Sequence, residues 1–152
     1  MTAIACLDAP PEYSVPDQIP PVLVTSQIAP PTRDVVVVPA AASQVDFLVP
    51  FRSDDSGEDL TALFVLDMAR QVTFPFILDA VPVLADPRPF AAQDPARVVT
   101  YLYTWTERPV GRHRVTLILT HESNFSTRYE VQDALDAAEV TWILDFGGGT
   151  TP

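Results

Sequence analysis

From residue 44 onwards apolar and polar positions alternate in steps of two, the spacing of a strand with one face against a core. Val45, Phe47, Val49 and Phe51 share a face, with Asp46 on the other. Leu60 to Leu66 read as an apolar strand that puts Ala62, Phe64 and Leu66 together. Val72, Phe74, Phe76 and Leu78 alternate again, and Pro75, which has no amide hydrogen for a ladder, restricts that strand to an edge or a bulge. Val99, Tyr101, Tyr103 and Trp105 give an aromatic face. Arg112 to Thr120 is the clearest strand, with Val115, Leu117 and Leu119 on one side and Arg114, Thr116 and Thr120 on the other. Val140, Trp142, Leu144 and Phe146 close the series. An acidic turn from Ser53 to Asp59, a proline-rich connection from Pro82 to Pro95 and a short turn from Glu107 to Gly111 separate these runs. Only Val131 to Ala138 can form a helical turn, and its Asp133 and Asp136 suit a loop equally well. No helix is long enough to carry the chain between parallel strands. The pattern predicts an all-β, antiparallel sandwich or barrel.

The stretch before residue 44 reads differently. Pro10-Pro11, Pro20-Pro21 and Pro30-Pro31, with Pro16 and Pro39, fix φ and bias their predecessors to extended geometry. Residues 1–43 are therefore expected as an extended, semi-rigid tether. Within it, Val22-Leu23-Val24 and Val35-Val36-Val37-Val38 are β-prone runs able to pair at a sheet edge. Residues 44–147 form the expected sandwich domain, and 148–152, beginning within Gly147-Gly148-Gly149, a flexible tail.

Composition narrows the function classes. Twenty acids against nine bases leave a formal charge of −11, and all nine bases are Arg. Such a chain cannot displace counterions along a phosphate backbone, so no nucleic-acid partner is expected. Charge disfavours an anionic membrane surface as well. The single Cys excludes an internal disulfide and any multi-cysteine zinc site. No apolar run approaches the ~18 residues of a membrane span. No cofactor is implied.

Two stretches resemble known families. Pro109-Val110-Gly111-Arg112-His113-Arg114-Val115-Thr116-Leu117-Ile118-Leu119-Thr120, with Asp136-Ala137-Ala138-Glu139-Val140-Thr141-Trp142-Ile143-Leu144, resembles the closing strand pair of immunoglobulin-like domains. In bacterial cell-surface versions, of the polycystic-kidney-disease and fibronectin types, the penultimate strand often carries Gly-x-aromatic-x-Val-x-Leu-x-Val; His113 stands at the aromatic position here. The resemblance implies a spacer or adhesive module and a binding or structural role without catalysis. Ala3-Ile4-Ala5-Cys6 is similar to a bacterial lipobox, which implies a lipid on Cys6 and membrane contact only through that anchor, in the outer membrane or periplasm. The proline-rich run after Cys6 suits a surface lipoprotein with a protein or envelope partner. The alternative is an accessory subunit of a larger soluble, cytoplasmic complex, its N-terminal strands added to a neighbour's sheet.

Candidate sites are few. His121-Glu122-Ser123-Asn124-Phe125 begins like His-Glu-x-x-His, but Phe125 replaces the second ligand and the segment ends a strand instead of lying on a helix. His113 and His121 share the inward parity of Val115 and Leu119; at ~3.3 Å per residue they stand about 26 Å apart and cannot ligate one metal. Two rim histidines bonded to loops are expected. Asp54, Asp55, Glu58 and Asp59, around Gly57, offer oxygens to Ca²⁺ without the spacing of a calcium loop, and a solvated turn fits them equally. Arg108, Arg112 and Arg114 form the one basic patch, open to a carboxylate-bearing partner or to pairing with acids of a neighbouring strand. There is no Gly-x-Ser-x-Gly, and Cys6 sits in the proline-rich stretch far from either histidine in sequence, so no constellation supports an enzyme.

Overall fold

The alternating runs are strands in the computed structural model of the protein, which describes residues 18–54, 58–67, 76–86, 88, 92 and 95–147. They are β1 (Val22–Leu23), β2 (Val35–Val37), β3 (Gln44–Arg52), β4 (Leu60–Leu66), β5 (Phe76–Val83), β6 (Arg97–Thr104), β7 (Arg112–His121) and β8 (Ala137–Asp145). Two sheets result, one in the order β1-β3-β6 and the other in the order β2-β8-β7-β4-β5. The fold is all-β. Val72, Phe74 and Pro75 lie outside the described residues.

The two sheets face each other across one core. Phe47, Val49, Phe51, Val99 and Tyr103 come from the first sheet, and Ala62, Phe64, Leu117, Trp142 and Leu144 from the second. Ring contacts cross between them: Phe47 and Trp142 are 4.6 Å apart at their centroids, and Phe64 and Tyr101 are 4.2 Å apart. Every inward residue here belongs to the alternating set read from the sequence, because a period of two is what one buried face requires.

Three features depart from expectation. First, β2 pairs with β8 in parallel, Val35 opposite Ile143 and Val37 opposite Asp145, although all other pairs are antiparallel. Parallel neighbours need a long connection; here the connection is the rest of the domain, β3 to β7, so no crossover helix is needed. Second, Pro82 belongs to β5, opposite Thr61, and not to the connection after it. β5 is an edge strand, where a missing amide hydrogen costs no ladder bond. Third, Thr116, Ile118 and Thr120 on the outward face of β7 are buried, because a second apolar cluster of Leu63, Val65 and Ile118 lies there under Phe125 and Val131.

Residues 18–43, the described part of the segment expected to run extended and able to supply edge strands, are laid onto both sheets. β1 pairs with the end of β3. Ala29 and Leu48 exchange backbone hydrogen bonds of 3.0 and 2.8 Å. Ile28 and Val38 enter the core. The Trp142 indole N–H donates to the Pro30 carbonyl at 2.7 Å. Proline permits all of this because the segment supplies edges, not central strands.

Burial at the core margin pushes the Tyr101 hydroxyl up to about 12, with the Asp79 charge adding to it, and raises the Tyr103 hydroxyl as well. A phenol held neutral in the native state contributes stability that is complete below its ordinary value near 10 and is lost as pH rises through about 12. Near-ultraviolet absorbance during alkaline titration is expected to show a late phenolate step that Tyr101→Phe removes. A step unchanged in that variant would refute the assignment.

Candidate functional site

The best-built polar arrangement lies where β7 ends and the chain loops over the outer face of the second sheet. His121 closes β7, Glu122–Asn124 make one 3-10 turn, and a second 3-10 turn, Ala134–Asp136, leads into β8. The Glu122 amide donates to the Asp59 carbonyl at 3.0 Å, tying the start of the loop to the entry of β4. The Asn124 amide group donates 2.8 Å bonds to the Thr120 hydroxyl and the Asp133 carbonyl, while its oxygen accepts from the Asp133 amide at 2.7 Å. The Asp133 carboxylate caps the second turn, accepting from the Leu135 amide at 2.8 Å. Asp and Asn recur here because their short side chains can satisfy backbone groups that have left a ladder.

Beneath the loop, His121 Nδ1 and Asp136 Oδ1 are 2.7 Å apart. A carboxylate only accepts, so the imidazole donates. Thr120 Oγ donates to the Asp136 backbone carbonyl and lies 3.1 Å from its carboxylate. His121 is 0 % exposed and Asp136 4 %. An orienting carboxylate on an imidazole is the geometry of a general base, but this ring is sealed from solvent and meets protein only. It fastens the loop to the strand end.

The other end of β7 carries a second histidine–aspartate contact. His113 Nδ1 is 2.8 Å from Asp67 Oδ2, and its Nε2 is 3.0 Å from the Val110 carbonyl. Asp67, at a positive φ of 50°, also accepts from the Arg114 amide at 2.9 Å. Both histidines therefore stand at the strand ends, bonded to loops. Sequence parity located them; their aspartate partners, one 15 and one 46 residues away, had no local signal.

The arginine patch is divided by the structure. Arg108 turns inward, donating to the carbonyls of Val38 at 2.8 Å, Phe146 at 3.2 Å and Ala42 at 3.3 Å, with its guanidinium against the Trp105 and Phe146 rings. It braces the segment after β2 against the end of β8. Arg112 and Arg114 point outward, as parity requires. Arg112 pairs across the strands with Asp145 at 3.0 Å. The Gly147 amide, and then Arg112, hold the Asp145 carboxyl below its usual value. Arg114 keeps an exposed side chain.

The described carboxylates of the acidic turn meet different partners. Asp54 is exposed, and Asp55 and Gly57 lie outside the described residues. Glu58 accepts from Gln18 Nε2 at 2.7 Å, and Asp59 accepts from the Ala85 amide at 2.6 Å. Among the described residues no three ligand-type side chains converge to hold a metal ion. Cys6, the expected lipid acceptor, lies outside the described residues.

One open cleft, of about 450 Å³, runs between the loop and the edge of the second sheet. Thr61, Ala80 and Pro82 form its floor, and Glu122, Phe125, Ser126 and Tyr129 its wall. Phe125 and Tyr129 meet edge to face at 6.0 Å. Comparison with known protein-family models gives no match, and comparison with curated proteins finds no relative.

Proposed function

We propose that the chain is a non-catalytic module of the bacterial cell envelope, an immunoglobulin-like sandwich anchored by a lipid on Cys6 and acting in binding or structural assembly. The observation that carries the fold reading is the strand order. With β1, β3 and β6 taken as strands A, B and E, and β4, β5, β7 and β8 as C, C′, F and G, the order A-B-E against C′-C-F-G, with β2 beside β8, supports the immunoglobulin reading. The buried tryptophan stands on the last strand here, whereas antibody domains carry theirs on strand C. A non-catalytic role is supported by the use made of both imidazoles, each of which holds a loop. Ala3-Ile4-Ala5-Cys6 and the prolines behind it support the anchor.

An accessory-subunit role draws on Val22–Leu23 and Val35–Val37, but each is already paired on one side within this chain. The partner in either case is a protein or another envelope component. The deciding measurement is intact mass in separated membrane and soluble fractions of the native source, with Cys6→Ser as the comparison. The expected result is a membrane species that begins at Cys6 and carries a diacylglyceryl-type adduct, and a Cys6→Ser chain that moves to the soluble fraction. An unmodified, soluble wild-type chain would sink the anchor.

A further inference from the structure

We infer that the outer edge of β6 is a self-association surface, and that two copies of this chain pair β6 against β6 in antiparallel fashion to join their three-stranded sheets. This inference stands apart from the lipid anchor. Its starting point is the way the four sheet edges differ. An exposed edge offers unpaired backbone groups to any other strand, and folded proteins blunt such edges with brevity, proline, bulges or charge. β1 has two residues and follows Pro20-Pro21. β2 has three and is followed by Pro39. β5 contains Pro82, and its register with β4 shifts at Phe64/Val65. β6 is longer than β1 and β2, contains no proline or bulge, and has Arg97 as its single charge, with Pro95 lying before its start.

Its eight residues run Arg97-Val98-Val99-Thr100-Tyr101-Leu102-Tyr103-Thr104, in unbroken register with β3 from Phe51 to Gln44. Among the described residues no strand lies on its other side. Arg97, its one charged residue, is turned over the Phe51 ring and donates to the Leu84 carbonyl. The outward side chains are Val98, Thr100, Leu102 and Thr104, and Val98 and Leu102 are 52 % and 47 % exposed.

A second copy is the occupant this edge fits best, for two reasons. The outward series Val98-Thr100-Leu102 is symmetric in character about its centre. An antiparallel pairing with a two-fold axis at Thr100 sets Val98 opposite Leu102 of the second copy, Thr100 opposite Thr100, and Leu102 opposite Val98. Directly opposed residues share a face, so both apolar pairs close together, and β-branched and apolar pairs are the favourable ones. Charge points the same way. Two chains of −11 repel each other over most of their surface, but this strand carries no carboxylate. An edge of eight residues spans about 27 Å and supplies far fewer residues than the roughly 20–30 a side of a stable complex. The dimer is therefore a concentration-dependent equilibrium, tightened by salt as the repulsion is screened.

Sedimentation of the full chain in the Cys6→Ser background tests it, together with oxidation of Thr100→Cys in the same background. The expected mass rises from monomer to dimer with concentration, and more steeply at higher salt. Leu102→Lys, with an unchanged circular dichroism spectrum, is expected to weaken the dimer at least tenfold. Thr100→Cys, placed on the two-fold axis, is expected to form a covalent dimer on oxidation, and Val22→Cys on β1 is not. A chain that stays monomeric at all concentrations overturns the inference, as does equal cross-linking through both cysteines. A monomer that gains mass only with another protein overturns self-pairing in favour of a foreign strand.

Discussion

Asp136→Ala is expected to destabilise the fold by about 3–5 kcal/mol, the cost of leaving one member of a buried ionisable pair without its partner. His121 Nδ1 would then lose its carboxylate acceptor, and Thr120 the carboxylate beside its hydroxyl. Against a total stability of ~5–15 kcal/mol for a domain of ordinary size, that is a shift from folded towards partly unfolded at ambient temperature. Urea denaturation gives the number. The double variant His121→Leu with Asp136→Leu separates pairing from packing, because replacing both members by apolar groups of similar volume removes the unsatisfied donor. It is expected to recover most of the loss. A double variant as unstable as Asp136→Ala would show that the pair is not the unit that matters.

Trp142→Ala is the second large effect, at about 3–5 kcal/mol for deleting a fully buried indole from a core that cannot collapse around the void. Trp142 touches Phe47 across the sheets and holds Pro30 through its N–H, so its loss loosens the crossing segment between β1 and β2 as well as the core. Trp142→Phe keeps a ring and removes the donor, worth about 1 kcal/mol. Limited proteolysis is expected to cut residues 24–34 faster in both variants. An unchanged cutting rate in Trp142→Phe would mean that the Pro30 bond does not secure that segment.

The central strands were legible in the sequence because a buried face imposes alternation that no neighbour can hide. Val115-Leu117-Leu119 and Val140-Trp142-Leu144 announced both strand and orientation. What alternation encodes is the face, not the neighbour. Nothing in Val35-Val36-Val37 says that the adjacent strand is β8 or that it runs in parallel. The burial of Ile118 was equally hidden, since Phe125 and Val131 pack against its cluster from a loop. Among the candidate residues, the strand-end positions of the two histidines follow from parity, whereas the inward bonds of Arg108 have no local signal. Its role depends on where the carbonyls of Val38, Ala42 and Phe146 meet in space, 70, 66 and 38 residues away in sequence.

The parallel β2–β8 pair also decides how the domain bears load. β2 stands near the amino end of the folded body and β8 near its carboxyl end, side by side and pointing the same way. Tension between Gln18 and Gly147 therefore first peels the two-residue β1 from β3, and then meets the β2–β8 ladder along its length. In that geometry the bonds, including the 2.9 Å contact from the Val38 amide to the Asp145 carbonyl, are sheared together and not opened one after another. A hinge would yield gradually under such a pull; this seam holds and then gives way at once.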